Sequence, residues 1–147
     1  MSLSLLTEQP LIQKENPIST GDNSRWRAPD KGCLKVKCDA AIPLSRPGGR
    51  TAVVIRNDKG KLVDGLTRSV QNCSSLAGEL TAIRDACLML KDMGIKGVTI
   101  ESDCRVAIEL SASELVPPGA VRALVLDIRQ LAGFDRRFCF QLGQETG

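Results

Sequence analysis

The sequence predicts an α/β fold in which a mixed five-stranded sheet is flanked by helices. Three observations support this class. Apolar and polar residues alternate in three consecutive segments between residues 34 and 69, which is the period of β-strands. Helical periodicity then begins near Ser75, and two short apolar segments, 97–101 and 137–141, follow later. The predicted order is β-β-β-α-β-α-α-β, and strands connected through a helix pair in parallel by a right-handed crossover.

The first three predicted strands form an antiparallel unit. The segment 34–39 alternates between apolar and charged side chains. Its two faces carry Leu34, Val36 and Cys38 on one side and Lys35, Lys37 and Asp39 on the other. A turn rich in Pro and Gly, 43–49, leads to a strand over 51–56, and the turn 57–60 closes a hairpin into 61–69.

Three helices are predicted in the second half. The first has an apolar stripe with steps of four, three, four and three residues, formed by Leu76, Leu80, Ile83, Cys87 and Leu90. Ser74 or Ser75 is expected to cap this helix, and Gly94 to end it. A second helix is expected to open at Ser102-Asp103, and a third covers about 120–131, after two consecutive prolines.

Composition excludes several functional classes. The chain has 147 residues, a net charge of +3, six cysteines and no histidine. The cysteines are dispersed without a C-x-x-C pair, which argues against a zinc site and favours reduced thiols in an intracellular protein. No apolar run approaches the roughly 20 residues that span a bilayer, so no membrane association is expected. Residues 1–24 are interpreted as a flexible leader and 25–147 as one domain.

Three acidic residues occupy positions where they could converge: Asp39 on the first strand, Glu79 in the first turn of the first helix, and Asp103 after the fourth strand. Each also has an ordinary structural interpretation. Asp39 could be solvated, Glu79 could interact with the helix dipole, and Asp103 could cap the second helix. Together they suggest catalysis, because clustered carboxylates can hold two Mg²⁺ ions, or Mn²⁺ as an alternative, for phosphodiester hydrolysis.

Four stretches in this order, LKVKCDAA (34–41), AVVIRN (52–57), LAGELTAI (76–83) and IESDC (100–104), resemble the ribonuclease H-like domains of plant non-LTR retrotransposon reverse transcriptases. The similarity extends from about residue 26 to 145. The resemblance implies a ribonuclease H-like fold and cleavage of the RNA strand of an RNA–DNA hybrid. It also implies that Asp39, Glu79 and Asp103 are three of the four metal-binding, catalytic carboxylates.

The resemblance weakens towards the end of the sequence. The family continues its last strand into a segment with a fourth Asp and a closing helix, whereas this sequence stops at Gly147, with Glu145 as the nearest acidic residue. We therefore expect the closing helix to be missing, the second metal to be weakly held and catalysis to be impaired. Two alternatives are a binding module that retains the fold without turnover, and a fragment without independent function.

Basic side chains provide candidate contacts to nucleic acid. Lys35 and Lys37 share the predicted face of Asp39, and Arg56 lies on the second strand. Such residues could position phosphates without selecting a base sequence. A dispersed, solvated set of charges explains them equally well. The sequence does not determine the oligomeric state or the cellular compartment.

Overall fold

A computed structural model describes residues 33–45, 47–133 and 137–143 of the chain. In chain order, its elements are β1 (Lys35–Ala41), β2 (Gly49–Arg56), β3 (Leu62–Val70), α1 (Ser75–Asp92), β4 (Val98–Ser102), α2 (Arg105–Ala112), a 3₁₀ turn (Gly119–Val121), α3 (Arg122–Ala132) and β5 (Phe138–Leu142). This order agrees with the prediction, and most boundaries shift by one or two residues. The predicted leader, residues 1–24, lies outside the described residues.

The five strands form one sheet in the order β3-β2-β1-β4-β5. β1 and β3 both pair with β2 in antiparallel fashion, while β4 pairs in parallel with β1 and β5 in parallel with β4. The predicted mixed sheet, with three antiparallel strands followed by parallel additions, is therefore confirmed. Its central strand is β1, which places Asp39 in the middle of the sheet.

The hairpin between β2 and β3 has a local cause in the turn sequence. The side-chain Oδ1 of Asn57 accepts hydrogen bonds from the backbone N–H groups of Lys59 and Lys61, at 2.8 and 3.0 Å. Gly60 adopts a φ of +80°, which suits a residue without a side chain. These contacts fix the turn that the sequence predicts.

The core lies between one face of the sheet and α1. The alternation in β1 is confirmed, because Val36 and Cys38 are fully buried while Asp39 is exposed. The stripe on α1 is confirmed as well: Leu80, Ile83, Cys87 and Leu90 are buried, and Leu76 packs at the edge of the core. Burial of such side chains stabilises the fold by roughly 1.5–3 kcal/mol each.

The ends of the helices differ in part from prediction. Ser74 caps α1, since its Oγ accepts from the N–H of Ala77 at 3.0 Å. Glu79 was predicted in the first turn of α1 and lies one residue beyond it, so the alternative interpretation as a helix-dipole contact is wrong. The alternative interpretation of Asp103 as a helix cap is wrong too, because α2 has Cys104 at its N-cap position and no side-chain cap.

The cysteines occupy several environments. All six lie in the described part of the chain and are free thiols, of which only Cys38 and Cys87 are buried. Burial raises the pKa of the Cys38 thiol well above its ordinary value and that of Cys87 to about 12, so both behave as small apolar side chains. Among the described residues, no helix is both long and apolar enough to cross a membrane.

Candidate active site

The candidate site forms near the carboxyl ends of the neighbouring strands β1 and β4. The two strands run in parallel with Cys38 opposite Ser102, so the next residue of each chain is acidic. These residues are Asp39 and Asp103, and both side chains are exposed. Because parallel strands place their carboxyl ends at the same edge of a sheet, the topology brings together two acids that are 64 positions apart, as counted from 39 to 103.

Helix α1 supplies the third carboxylate through an unusually close approach to β1. A Cβ atom at Gly78 would lie 2.9 Å from side-chain atoms of Ile42 and 3.4 Å from the Cβ of Ala40. Only glycine allows this contact without displacement of a neighbour. Glu79 follows directly, and its Oε1 lies 3.5 Å from Ser102 Oγ, at the long limit of a hydrogen bond.

The electrostatics of Glu79 report how the three acids are arranged. Burial, together with the negative charges of Asp39 and Asp103, raises the pKa of the Glu79 carboxyl to about 7. Hydrogen bonds from Ser102 and from the backbone of Ala40 act in the opposite direction. The two aspartates therefore lie close enough to Glu79 to oppose its ionisation, as like charges that share a site do.

The outer two carboxylates have their own partners. Asp39 Oδ1 accepts a hydrogen bond of 2.9 Å from the N–H of Ala40. Asp103 Oδ1 accepts one of 2.9 Å from the ammonium of Lys37, with which it forms an ion pair. Sequence reasoning did not anticipate this ion pair.

The donor types suit Mg²⁺, which prefers carboxylate oxygens. Within ranges 33–45, 47–133 and 137–143, however, no three His, Cys, Asp or Glu side chains already form a group that could hold a metal ion. The three carboxylates lie at the same end of the sheet, but their oxygens do not converge on one point. A metal would have to draw them closer together and compete with Lys37 for Asp103.

The predicted nucleic-acid contacts all have partners within the chain. Lys35 forms an ion pair of 3.0 Å with the buried carboxylate of Glu101, and Lys37 pairs with Asp103. The guanidinium of Arg56 donates to the carbonyl oxygen of Gly60 at 3.2 Å, and partial burial lowers its pKa. Their role in binding nucleic acid stays a prediction.

Two site residues were not predicted from the sequence. Ser102 is completely buried, contacts Glu79, and accepts through its Oγ from the N–H of Cys104 at 3.1 Å. Gly143 donates its N–H to the carbonyl oxygen of Ser102 at 2.7 Å. For Ser102, the only indication in the sequence was its position beside Asp103. No local pattern pointed to Gly143.

We expect the Glu79→Gln variant to be stabilised relative to the wild type at pH 8 but not at pH 5, in the presence of a chelator. The folded chain holds the Glu79 proton up to about pH 7, whereas an unfolded glutamate releases it near its ordinary pKa of 4.5. Between these values the folded state binds more protons, so stability contributed by Glu79 is lost as the pH rises. Glutamine cannot ionise and escapes this loss.

Thermal unfolding midpoints of both proteins at pH 5 and 8 measure this difference. Glu109→Gln is the matched control, because Glu109 is an exposed residue of α2 outside the site. The prediction would be contradicted if the midpoints of Glu79→Gln and the wild type differed by the same amount at pH 5 and at pH 8.

The fold has relatives among solved structures. Ribonuclease H1 from the archaeon Halobacterium salinarum aligns with a TM-score of 0.65 at 18% identity, covering 78% of this chain and 87% of that one. An N-terminal ribonuclease H domain from Mycobacterium tuberculosis gives 0.65 at 14%, covering 76% and 82%. A ribonuclease H1 isolated from compost, in complex with an RNA/DNA hybrid, gives 0.65 at 14%, covering 76% and 86%.

The TM-scores demonstrate a common fold, and identities this low do not establish a common activity. None of the curated proteins matches the chain by sequence. The family model described as reverse transcriptase-like, in contrast, matches residues 37–143, which include all three carboxylates. Because this match covers most of the sequence, the chain belongs to the reverse transcriptase-like family, and its fold is that of ribonuclease H.

Proposed function

We propose that the chain is a nucleic-acid-binding ribonuclease H-type domain that hydrolyses the RNA strand of an RNA–DNA hybrid. One observation carries the proposal: the charges of Asp39 and Asp103 both oppose ionisation of Glu79, although the three residues come from three separate elements. A fold that brings acidic groups together against their mutual repulsion loses stability, and functional sites are where such perturbed groups concentrate.

Asp39, Glu79 and Asp103 are the residues that would hold Mg²⁺ or Mn²⁺. When bound, such ions lower the pKa of an attacking water and neutralise the leaving oxygen of a phosphodiester. The chain's own contribution is to position these carboxylates at the end of the central strand, where Ser102 orients Glu79. The donor types and their nearness to one another support the proposal, of which metal binding is itself a part.

Phosphate contacts from Lys35, Lys37 and Arg56 also belong to the proposal. Lys35 and Lys37 lie on β1, the strand that carries Asp39, and Arg56 lies on β2 opposite Lys35. Each of them already contacts another group of the chain. To bind a phosphate, each would have to leave that group or contact both at once. By resemblance, we infer an origin in a plant non-LTR retrotransposon reverse transcriptase. The free thiols agree with an intracellular location.

Removal of divalent metal provides the direct test. Incubation of the purified chain with an RNA–DNA hybrid should give RNA cleavage with Mg²⁺ or Mn²⁺ and none with excess chelator. A DNA duplex of the same sequence serves as the substrate control and should stay intact. Cleavage that persists in chelator would contradict the metal-dependent mechanism, and the Asp39→Asn variant identifies any contaminating nuclease.

A second candidate function is a module that binds nucleic acid without turnover. The ion pair between Lys37 and Asp103 favours it, because one of the three carboxylates is already neutralised by a cation of the protein. Hybrid binding without cleavage in either metal would support this alternative over the hydrolase.

A further inference from the structure

A cation of the chain occupies the carboxylate site. The Lys37 ammonium lies 2.9 Å from Asp103 Oδ1, and the two side chains are about one-third and three-fifths exposed. Lys37 is on β1, two residues before Asp39, and it pairs in register with Glu101 on β4. Its side chain therefore reaches along the sheet, from the level of Glu101 to that of Asp103.

The end of β5 holds this ion pair in place. A Cβ atom at Gly143 would lie 2.6 Å from Lys37 Nζ and 2.8 Å from Asp103 Oδ1, so the backbone of Gly143 packs directly against both charged groups. The N–H of Gly143 donates to the carbonyl oxygen of Ser102, which anchors this part of the chain beside the pair. The position of the ammonium is consequently restricted on two sides.

We propose that Lys37 is a built-in counter-ion of the site, which must be displaced from Asp103 before a divalent cation binds there. The inference rests on the proposed function, since it assumes that metal binds at Asp39, Glu79 and Asp103. It adds a residue that sets the metal concentration at which the site fills. The Lys37 ammonium and a metal ion would compete for the same atom, Asp103 Oδ1. Both carry positive charge, so they would also repel each other at such a short distance.

The chain offers a matched pair of variants. Lys37→Met removes the ammonium, keeps a long side chain and introduces no oxygen ligand. Lys61→Met makes the same change next to the β2–β3 turn. Lys61 adjoins the end of β2 at which Arg56 pairs with Lys35, whereas Asp39 pairs with Ala52, so the control lies at the opposite end of the sheet. Both variants lower the net charge by one.

Mn²⁺ is the probe, and titration of free Mn²⁺ by electron paramagnetic resonance gives the dissociation constant without an activity measurement. We expect Lys37→Met to bind Mn²⁺ about twofold to fivefold more tightly than the wild type, as loss of one partly exposed ion pair permits. Lys61→Met should match the wild type. Asp39→Asn should bind more weakly, which verifies that the titration reports this site.

The outcomes separate the two proposals. If the wild type binds Mn²⁺, Asp39→Asn weakens binding, and Lys37→Met equals Lys61→Met, the counter-ion role is overturned while the proposed metal site stands. If neither the wild type nor Lys37→Met binds Mn²⁺, the metal site and the counter-ion role fall together. Binding by Lys37→Met alone would support the inference in its strongest form.

Discussion

Replacing Arg68 with methionine is expected to lower the free energy of unfolding by about 2–3 kcal/mol, because the buried carboxylate of Asp85 loses its partner. Arg68 on β3 donates from Nε to Asp85 Oδ2 at 2.8 Å and from a terminal nitrogen to Oδ1 at 3.0 Å. Asp85 on α1 is only 3% exposed, so water cannot replace these hydrogen bonds. Methionine retains much of the aliphatic length of the arginine side chain and donates no hydrogen bond.

Among charge substitutions in the described residues, we expect Arg68→Met to be one of the most destabilising, because of the way in which Arg68 contacts Asp85. A guanidinium that binds both carboxylate oxygens combines orientation with charge, and it joins the edge strand β3 to α1 across the sheet face. Since Arg68 is 49% exposed, solvent weakens the attraction, and the expected loss is smaller than that for a fully buried pair.

Chemical denaturation of the variant and the wild type measures the loss. Arg84→Met is the matched control, because Arg84 and Asp127 join α1 and α3 through a longer pair, at 3.6 Å, whose carboxylate is 55% exposed. Its loss should cost less than about 1 kcal/mol. Adding Asp85→Asn to Arg68→Met should recover part of the stability. Equal losses for the Arg68 and Arg84 variants would refute the importance of burial.

The predictable part of this fold is the part that local chemistry determines. Alternation in β1 identified which of its side chains face the core, and the helical stripe identified the buried side of α1. The crossover rule then predicted that the strands after α1 are added in parallel, and β4 and β5 do pair in parallel. These steps require only the period of each segment and the handedness of the chain.

The unpredicted part depends on contacts between distant residues. No sequence period indicates that Lys37 pairs with Asp103, since the pair exists only after β4 docks beside β1 in one register. The alternative interpretation of Asp103 as a helix cap rested on local preference alone, and in the structure its carboxylate pairs with Lys37 instead. The closeness of Glu79 to the two aspartates likewise depends on Gly78, whose role is visible only when Ile42 is placed against it.

Substituting Asp39 with asparagine is expected to reduce metal-dependent cleavage of the hybrid by about 100-fold or more, because residues that act as a unit fail together. Asp39 lies on the central strand, and its charge acts directly on Glu79. Asparagine has nearly the same shape and keeps an oxygen that can accept from the N–H of Ala40. The change therefore removes charge and little else.

Single-turnover cleavage of the hybrid measures this effect, and Asp64→Asn is a closely matched control. Asp64 on the edge strand β3 accepts from the N–H of the following Gly65 at 2.7 Å, much as Asp39 accepts from Ala40 at 2.9 Å. Loss of activity in the Asp39 variant alone would locate the chemistry at the carboxylates, and equal rates for Asp39→Asn and the wild type would end the catalytic proposal.

Unfolding cannot explain such a loss, because removal of the Asp39 charge lowers the pKa of Glu79 towards its ordinary value and relieves repulsion in the folded state. An inactive variant at least as stable as the wild type at pH 8 is thus the expected result.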